Sequence, residues 1–145
     1  PDAAVESPSG NKVQISELRG KITLVSFWAT WCGPCQVELP TLKKLDEKYH
    51  DQGLRIVAVN VDEMNTSSEF VSHFWGKMNL PFQYVRDTSG EAMSNFGVEV
   101  LPSNFILDSG GHIAVEAHGA NDWSHPTSTK LIEDLLLQLN QTAKK

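Results

Sequence analysis

Two apolar runs, ITLVSFW (Ile22 to Trp28) and LRIVAVNV (Leu54 to Val61), restrict this chain more than any other feature. Neither alternates polar with apolar residues, so each reads as a strand covered on both faces, the mark of parallel pairing inside a sheet. Parallel neighbours need a crossover, and the stretch between the runs supplies a helical one. Leu42, Leu45 and Tyr49 fall on one face between about Cys35 and His50, and Gly53 ends the helix as a residue tolerant of positive φ. A right-handed strand-helix-strand unit follows. Pro40 lies inside that helix and kinks it, because the carbonyl of Gln36 loses its donor.

The remaining segments extend the unit. Ahead of it, a polar lead with a turn signal at SPSGNK is followed by Val13 and Ile15, which alternate as a short edge strand would. Behind it, Thr66-Ser67-Ser68-Glu69 has the form of a capping box and opens a helix with Phe70, Val71, Phe74, Trp75 and Met78 on one face. A short FQYVRD segment leads to a second box, Thr88-Ser89-Gly90-Glu91, and a brief helix. SNFILD and HIAVEA flank Ser109-Gly110-Gly111 and read as a β-hairpin. A last helix sets Leu131, Leu135 and Leu139 beside Ile132 and Leu136 as a core face. The preceding GANDW segment (Gly119 to Trp123) either rims the site or leads into a cap for this helix at Asn121, Asp122 or Ser124, with capping favoured, and Lys144 and Lys145 are expected to form a disordered tail. The expected class is α/β: one domain over residues 1–145, a central mixed sheet flanked by helices, and a helix inserted midway.

Composition narrows the function. A net charge of -6 and a pI near 5.3 disfavour nucleic acid, since an acidic surface repels a polyanion. The longest apolar stretch, Ile22 to Ala29, is far short of the roughly 20 residues that span a bilayer. The chain starts at Pro1, which implies an upstream segment that was removed, so a missing leader carries no information about compartment.

Cys32 and Cys35 are the only cysteines, and they lie where the first strand passes into a helix, the place where α/β proteins put their chemistry. Unpaired N–H groups and the positive dipole end at a helix start stabilise a thiolate. Cys32 is thereby the expected nucleophile, and Cys35, one turn in and better shielded, the resolving thiol. Gly33 permits a tight approach, and Pro34 suits the first helical turn, where its missing N–H is not needed. Zinc needs four ligands, and neither a third cysteine nor a histidine pair at ligand spacing is present. No metal is expected.

At Trp31-Cys32-Gly33-Pro34-Cys35 the sequence resembles the thioredoxin superfamily, and the order of elements agrees with a thioredoxin-like fold. The resemblance implies a proline in a cis peptide bond facing the cysteines, a place held by Pro102, with the Leu101 backbone turned toward a substrate strand. Gly20-Lys21, Glu38-Leu39-Pro40 and the inserted helix resemble the TlpA/ResA/CcmG branch, with likeness from about Val13 to Asn140. Ser26 stands where general thioredoxins bury an aspartate, so the proton partner must lie elsewhere. The branch implies Glu63, with Asp62 as the alternative; a carboxyl near Cys35 with a raised pKa would take the proton that Cys35 loses. Trp31 covers the cysteines and shapes the substrate groove, whereas Trp28 belongs to the core.

The resemblance implies a thiol-disulfide oxidoreductase whose redox-active disulfide, Cys32-Cys35, serves in place of a cofactor. It implies protein disulfide substrates such as apocytochrome c, a membrane thiol reductase as electron donor, a monomer, and a periplasmic or otherwise extracytoplasmic location, with membrane tethering through the removed segment. A general thioredoxin and a copper(I)-binding metallochaperone using the same cysteines are the alternatives.

Overall fold

The computed structural model describes residues 1–143, so Lys144 and Lys145 lie outside the described residues. Seven strands make one sheet in the order β2-β1-β5-β4-β3-β6-β7. They are β1 (Ala4–Glu6), β2 (Lys12–Gln14), β3 (Ile22–Trp28), β4 (Leu54–Asn60), β5 (Gln83–Arg86), β6 (Ser103–Leu107) and β7 (Ile113–His118). The two long apolar runs are the parallel neighbours β3 and β4, in register from Ile22 opposite Leu54 to Trp28 opposite Asn60. Strand β5 adds a further parallel pairing with β4. The SNFILD and HIAVEA segments pair antiparallel as β6 and β7, and β6 runs antiparallel to β3.

Successive residues of β3 face opposite sides and meet two different cores. Ile22, Leu24 and Trp28 join Ile56, Ala58 and Ile106 against the helices α1 (Gly33–Glu38), α2 (Leu42–Tyr49), α3 (Ser68–Met78) and α5 (Pro126–Ala143). Val25 and Phe27 join Val57, Val59, Phe105 and Leu107 against α4 (Glu91–Phe96) and the N-terminal segment. Trp28 is fully buried, with rings of Trp75 at 5.2 Å and Phe74 and Tyr84 at 6.2 Å.

Local details depart from the sequence reading at six places. The polar lead forms β1, because Ala3 and Val5 have core to cover; Ile15 leaves the edge strand in a 3-10 turn, Ile15–Leu18. The expected single helix is two, starting at Gly33 and broken by the 3-10 turn Leu39–Thr41, where Pro40 supplies no N–H. The cap of α3 is Ser67, whose hydroxyl accepts from the Phe70 N–H, so no Thr66/Glu69 box forms. Phe70, in the first turn, is 54% exposed, with its ring 6.4 Å from that of Phe74. The second box is also absent: Asp87 accepts from the N–H groups of Ala92 and Met93, and Thr88 bonds Glu6 instead.

At Gly53, φ is 108°, and Lys21 N–H donates to its carbonyl at 2.8 Å. Gly20 packs so closely on that carbonyl that a Cβ would collide with it. The start of β3 is thus fixed against the end of the crossover, which aims the other end of β3 at the cysteines.

Candidate active site

Residues 29–31 carry the chain from β3 to α1, and Asp62 holds them. Its Oδ1 accepts from the Thr30 N–H at 2.8 Å and from Asn60 Nδ2 at 2.8 Å, and its Oδ2 accepts from the Thr30 hydroxyl. Asp62 is 3% exposed. With three donors engaged, this carboxyl ties the exits of β3 and β4 together as a latch. Gln36 Nε2 adds a bond to the Thr30 carbonyl.

Cys32 caps α1 with extended φ and ψ, and its Sγ accepts from the Cys35 N–H at 3.2 Å. Cys32 and Cys35 form a disulfide with Cα atoms 5.3 Å apart. Cys32 is 5% exposed and lines an open cleft of about 690 Å³, whereas Cys35 is completely buried. The cleft also takes in Trp31, Gly33, Pro34, Glu63, Val100 and Leu101. Gly33 has negative φ and a Cβ built there meets nothing within 4 Å, so no part of this chain needs the glycine; the open space faces outward. Trp31 is 68% exposed: it borders the cleft as a contact surface more than a cover.

The Leu101–Pro102 bond is cis. It is held from both sides, with Ser103 Oγ donating to the Val100 carbonyl at 2.7 Å and Gly119 N–H donating to the Pro102 carbonyl at 2.8 Å. Leu101 thereby reaches the cleft while Pro102 is buried.

Glu63 also lines the cleft, on a loop that Arg86 pins through the carbonyls of Thr66 and Glu63. Its side chain is exposed to solvent. The enclosed carboxyl lies elsewhere, at Glu38, one helical turn beyond Cys35 and 1% exposed. Glu38 Oε1 accepts from Asn104 Nδ2 at 2.9 Å, and Oε2 from the Asn121 N–H at 2.7 Å. Burial pushes this carboxyl above its ordinary range; the Asn104 and Asn121 bonds and the nearby Trp123 indole oppose the shift without cancelling it. The GANDW segment thus anchors Glu38, and α5 is entered through His125 Nδ1, which accepts from the Thr127 N–H. Glu38 entered the sequence reading only as part of a family pattern. The signal was its position on the stripe Cys35, Glu38, Leu42, Leu45, where a core residue belongs.

A disulfide at a helix start, one sulfur open to a cleft and the other sealed beside a buried acid, defines a thiol-disulfide oxidoreductase on a thioredoxin-like fold. The redoxin family profile matches residues 1–134, and the chain belongs to that family. Thiol-disulfide oxidoreductase ResA of Bacillus thuringiensis subsp. konkukian is 33% identical over 119 residues, 82% of this chain and 67% of that protein. StoA of Bacillus subtilis superposes with a TM-score of 0.72 at 25% identity, covering 92% of this chain and 95% of its own. A Chlorobium tepidum protein provisionally named thiol:disulfide interchange protein DsbE gives 0.77 at 27% identity, with 96% and 93% covered.

Proposed function

We propose that the protein is a reductant of protein disulfides in the cell envelope, acting on substrates such as the cysteines of apocytochrome c and re-reduced by a membrane thiol reductase. The observation that carries the exchange chemistry is the asymmetry of the pair: Cys32 borders the cleft and Cys35 does not; the reducing direction is read from Gly33-Pro34 between the cysteines, which resembles thioredoxin. Among the described residues, no helix is long and apolar enough to cross a membrane. The protein works as a monomer with no resident cofactor beyond the disulfide.

In the reduced form, Cys32 Sγ is a thiolate at the start of α1 and attacks a substrate disulfide, releasing one substrate thiolate. Trp31, Gly33, Pro34 and the Leu101 backbone receive the substrate strand, with Pro102 setting the direction of that backbone. Cys35 then loses its proton and attacks Cys32 Sγ, forming the internal disulfide and expelling the second substrate sulfur. We assign that proton to Glu38, because it is enclosed and one turn from Cys35; Glu63, first expected in this role, serves the solvent-facing rim.

The direction is tested by equilibrating the protein in dithiothreitol and glutathione buffers and counting free thiols by alkylation. A midpoint near the thioredoxin value of about -270 mV is expected for a reductant. A midpoint near the DsbA value of about -120 mV overturns the direction and makes the protein a disulfide donor.

A further inference from the structure

Of the groups at the Glu38 carboxyl among the described residues, one can change its role. The Asn121 N–H at Oε2, like the Trp123 indole N–H beside the carboxyl, can donate and never accept. A proton placed on Oε2 would therefore face a donor. Oε1 faces Asn104, whose side-chain amide both donates and accepts. Asn104 now donates from Nδ2, the orientation that suits an ionised carboxylate. Its own Oδ1 is buried and has no hydrogen-bond partner. Directly across the strand pair on β3 is Ser26, whose Oγ is likewise buried and unpartnered. Buried polar atoms are rarely left so, and two on facing residues call for an explanation.

We propose that Asn104 is a positioning residue of the exchange reaction, holding Glu38 in both protonation states: Nδ2 donates to ionised Oε1, and the amide turns so that Oδ1 accepts from protonated Oε1. In the turned state Nδ2 leaves Glu38 and takes the place that Oδ1 now holds, with Ser26 across the strand pair. The proposal rests on the assignment of Glu38 as the proton acceptor. In the resolving step the proton of Cys35 passes to Glu38 Oε1. The sulfur's electron pair forms the bond to Cys32 Sγ, and the mixed disulfide breaks with its pair on the substrate sulfur. The groups beside Glu38 are Cys35 one turn before it on α1, Thr41, whose hydroxyl donates to the Glu38 backbone carbonyl, Asn104 from the sheet, and Asn121 and Trp123 from the loop ahead of α5. Cys35 is the one among them that carries an ionisable proton, once the disulfide is reduced.

The test uses the reduced protein and dithiobisnitrobenzoate, followed by stopped-flow absorbance. Attack by Cys32 releases one coloured thiolate, and resolution by Cys35 releases a second. Asn104→Leu, which has neither donor nor acceptor, is expected to slow the second release about tenfold at neutral pH, the effect of one hydrogen bond to a charged group. Its pH midpoint moves upward, because the bond lost to ionised Glu38 is stronger than the one lost to its protonated form, while the first release stays within about twofold. A lost packing contact alone would not move that midpoint. If the leucine variant does not fold, Asn104→Val, smaller and suited to a strand, must show the same shift. A wild-type rate and midpoint in the Asn104 variants, with the second release slowed in Glu38→Gln, overturns the role of Asn104 alone. A second release unchanged in Glu38→Gln overturns the assignment of Glu38, and the role of Asn104 with it.

Discussion

The two sides of β3 are built from alternate residues of one strand, yet they differ in kind. On one side Val25 and Phe27 meet Phe96 and Phe105, with ring centroids 5.2 to 5.8 Å apart. On the other, Leu24 and Trp28 bracket Ser26, which faces Asn104 and, through it, Glu38. The first side packs aromatic rings against branched aliphatic side chains. The other admits polar groups where a proton has to move, in a surrounding that keeps solvent out. The parity of residue number along one strand thus decides which residues meet the phenylalanine cluster and which lie toward the buried acid.

That separation can be broken in several ways. The largest effect belongs to Cys35→Ala: turnover of a protein disulfide falls below detection, and Cys32 accumulates as a mixed disulfide visible by intact mass. On the apolar side, Phe105→Ala is expected to cost about 3 to 5 kcal/mol in urea denaturation while leaving the rates of the two thiolate releases within about twofold. Equal damage to both quantities would show that the two sides are not independent.

Glu38→Gln sharpens the contrast through pH. Because the folded-state pKa of Glu38 is raised above its ordinary 4.5, the protonated form favours the folded protein. The contribution is fully present below 4.5 and is lost as pH rises through the raised folded value. Urea denaturation across that window should show wild type losing stability relative to the glutamine variant. A parallel pH dependence of the two would count against burial as the cause. The smallest effect is at the rim, where Trp31→Ala should change stability by no more than about 0.5 kcal/mol while slowing reduction of a protein disulfide.

The frame was legible because it is local. The runs that form β3 and β4, the hairpin of β6 and β7, and the break at Pro40 all follow from short-range pattern. The capping boxes failed because the serine or aspartate one residue away competed for the same N–H groups, and spacing alone does not decide between neighbours. Glu38 was the larger miss. Its charge suggests solvent, and its partners are 66 and 83 residues distant in sequence, at Asn104 and Asn121. No window along the chain contains them together. The cis bond at Pro102 was reached through family likeness, and periodicity offered nothing toward it.

The cysteines, by contrast, are separated by only three positions. Closing so small a ring removes little freedom from an unfolded chain, about 2 kcal/mol by loop-closure entropy against about 4.7 for a ring of 100 residues. The thermodynamic cycle joining folding to oxidation turns that difference into a voltage, because 1.4 kcal/mol corresponds to about 30 mV for two electrons. Ring closure therefore makes the folded couple more reducing than the same cysteines in the unfolded chain by only about 40 mV. Whatever further distance separates the two couples is set by how the folded protein solvates a sulfur anion at the start of α1.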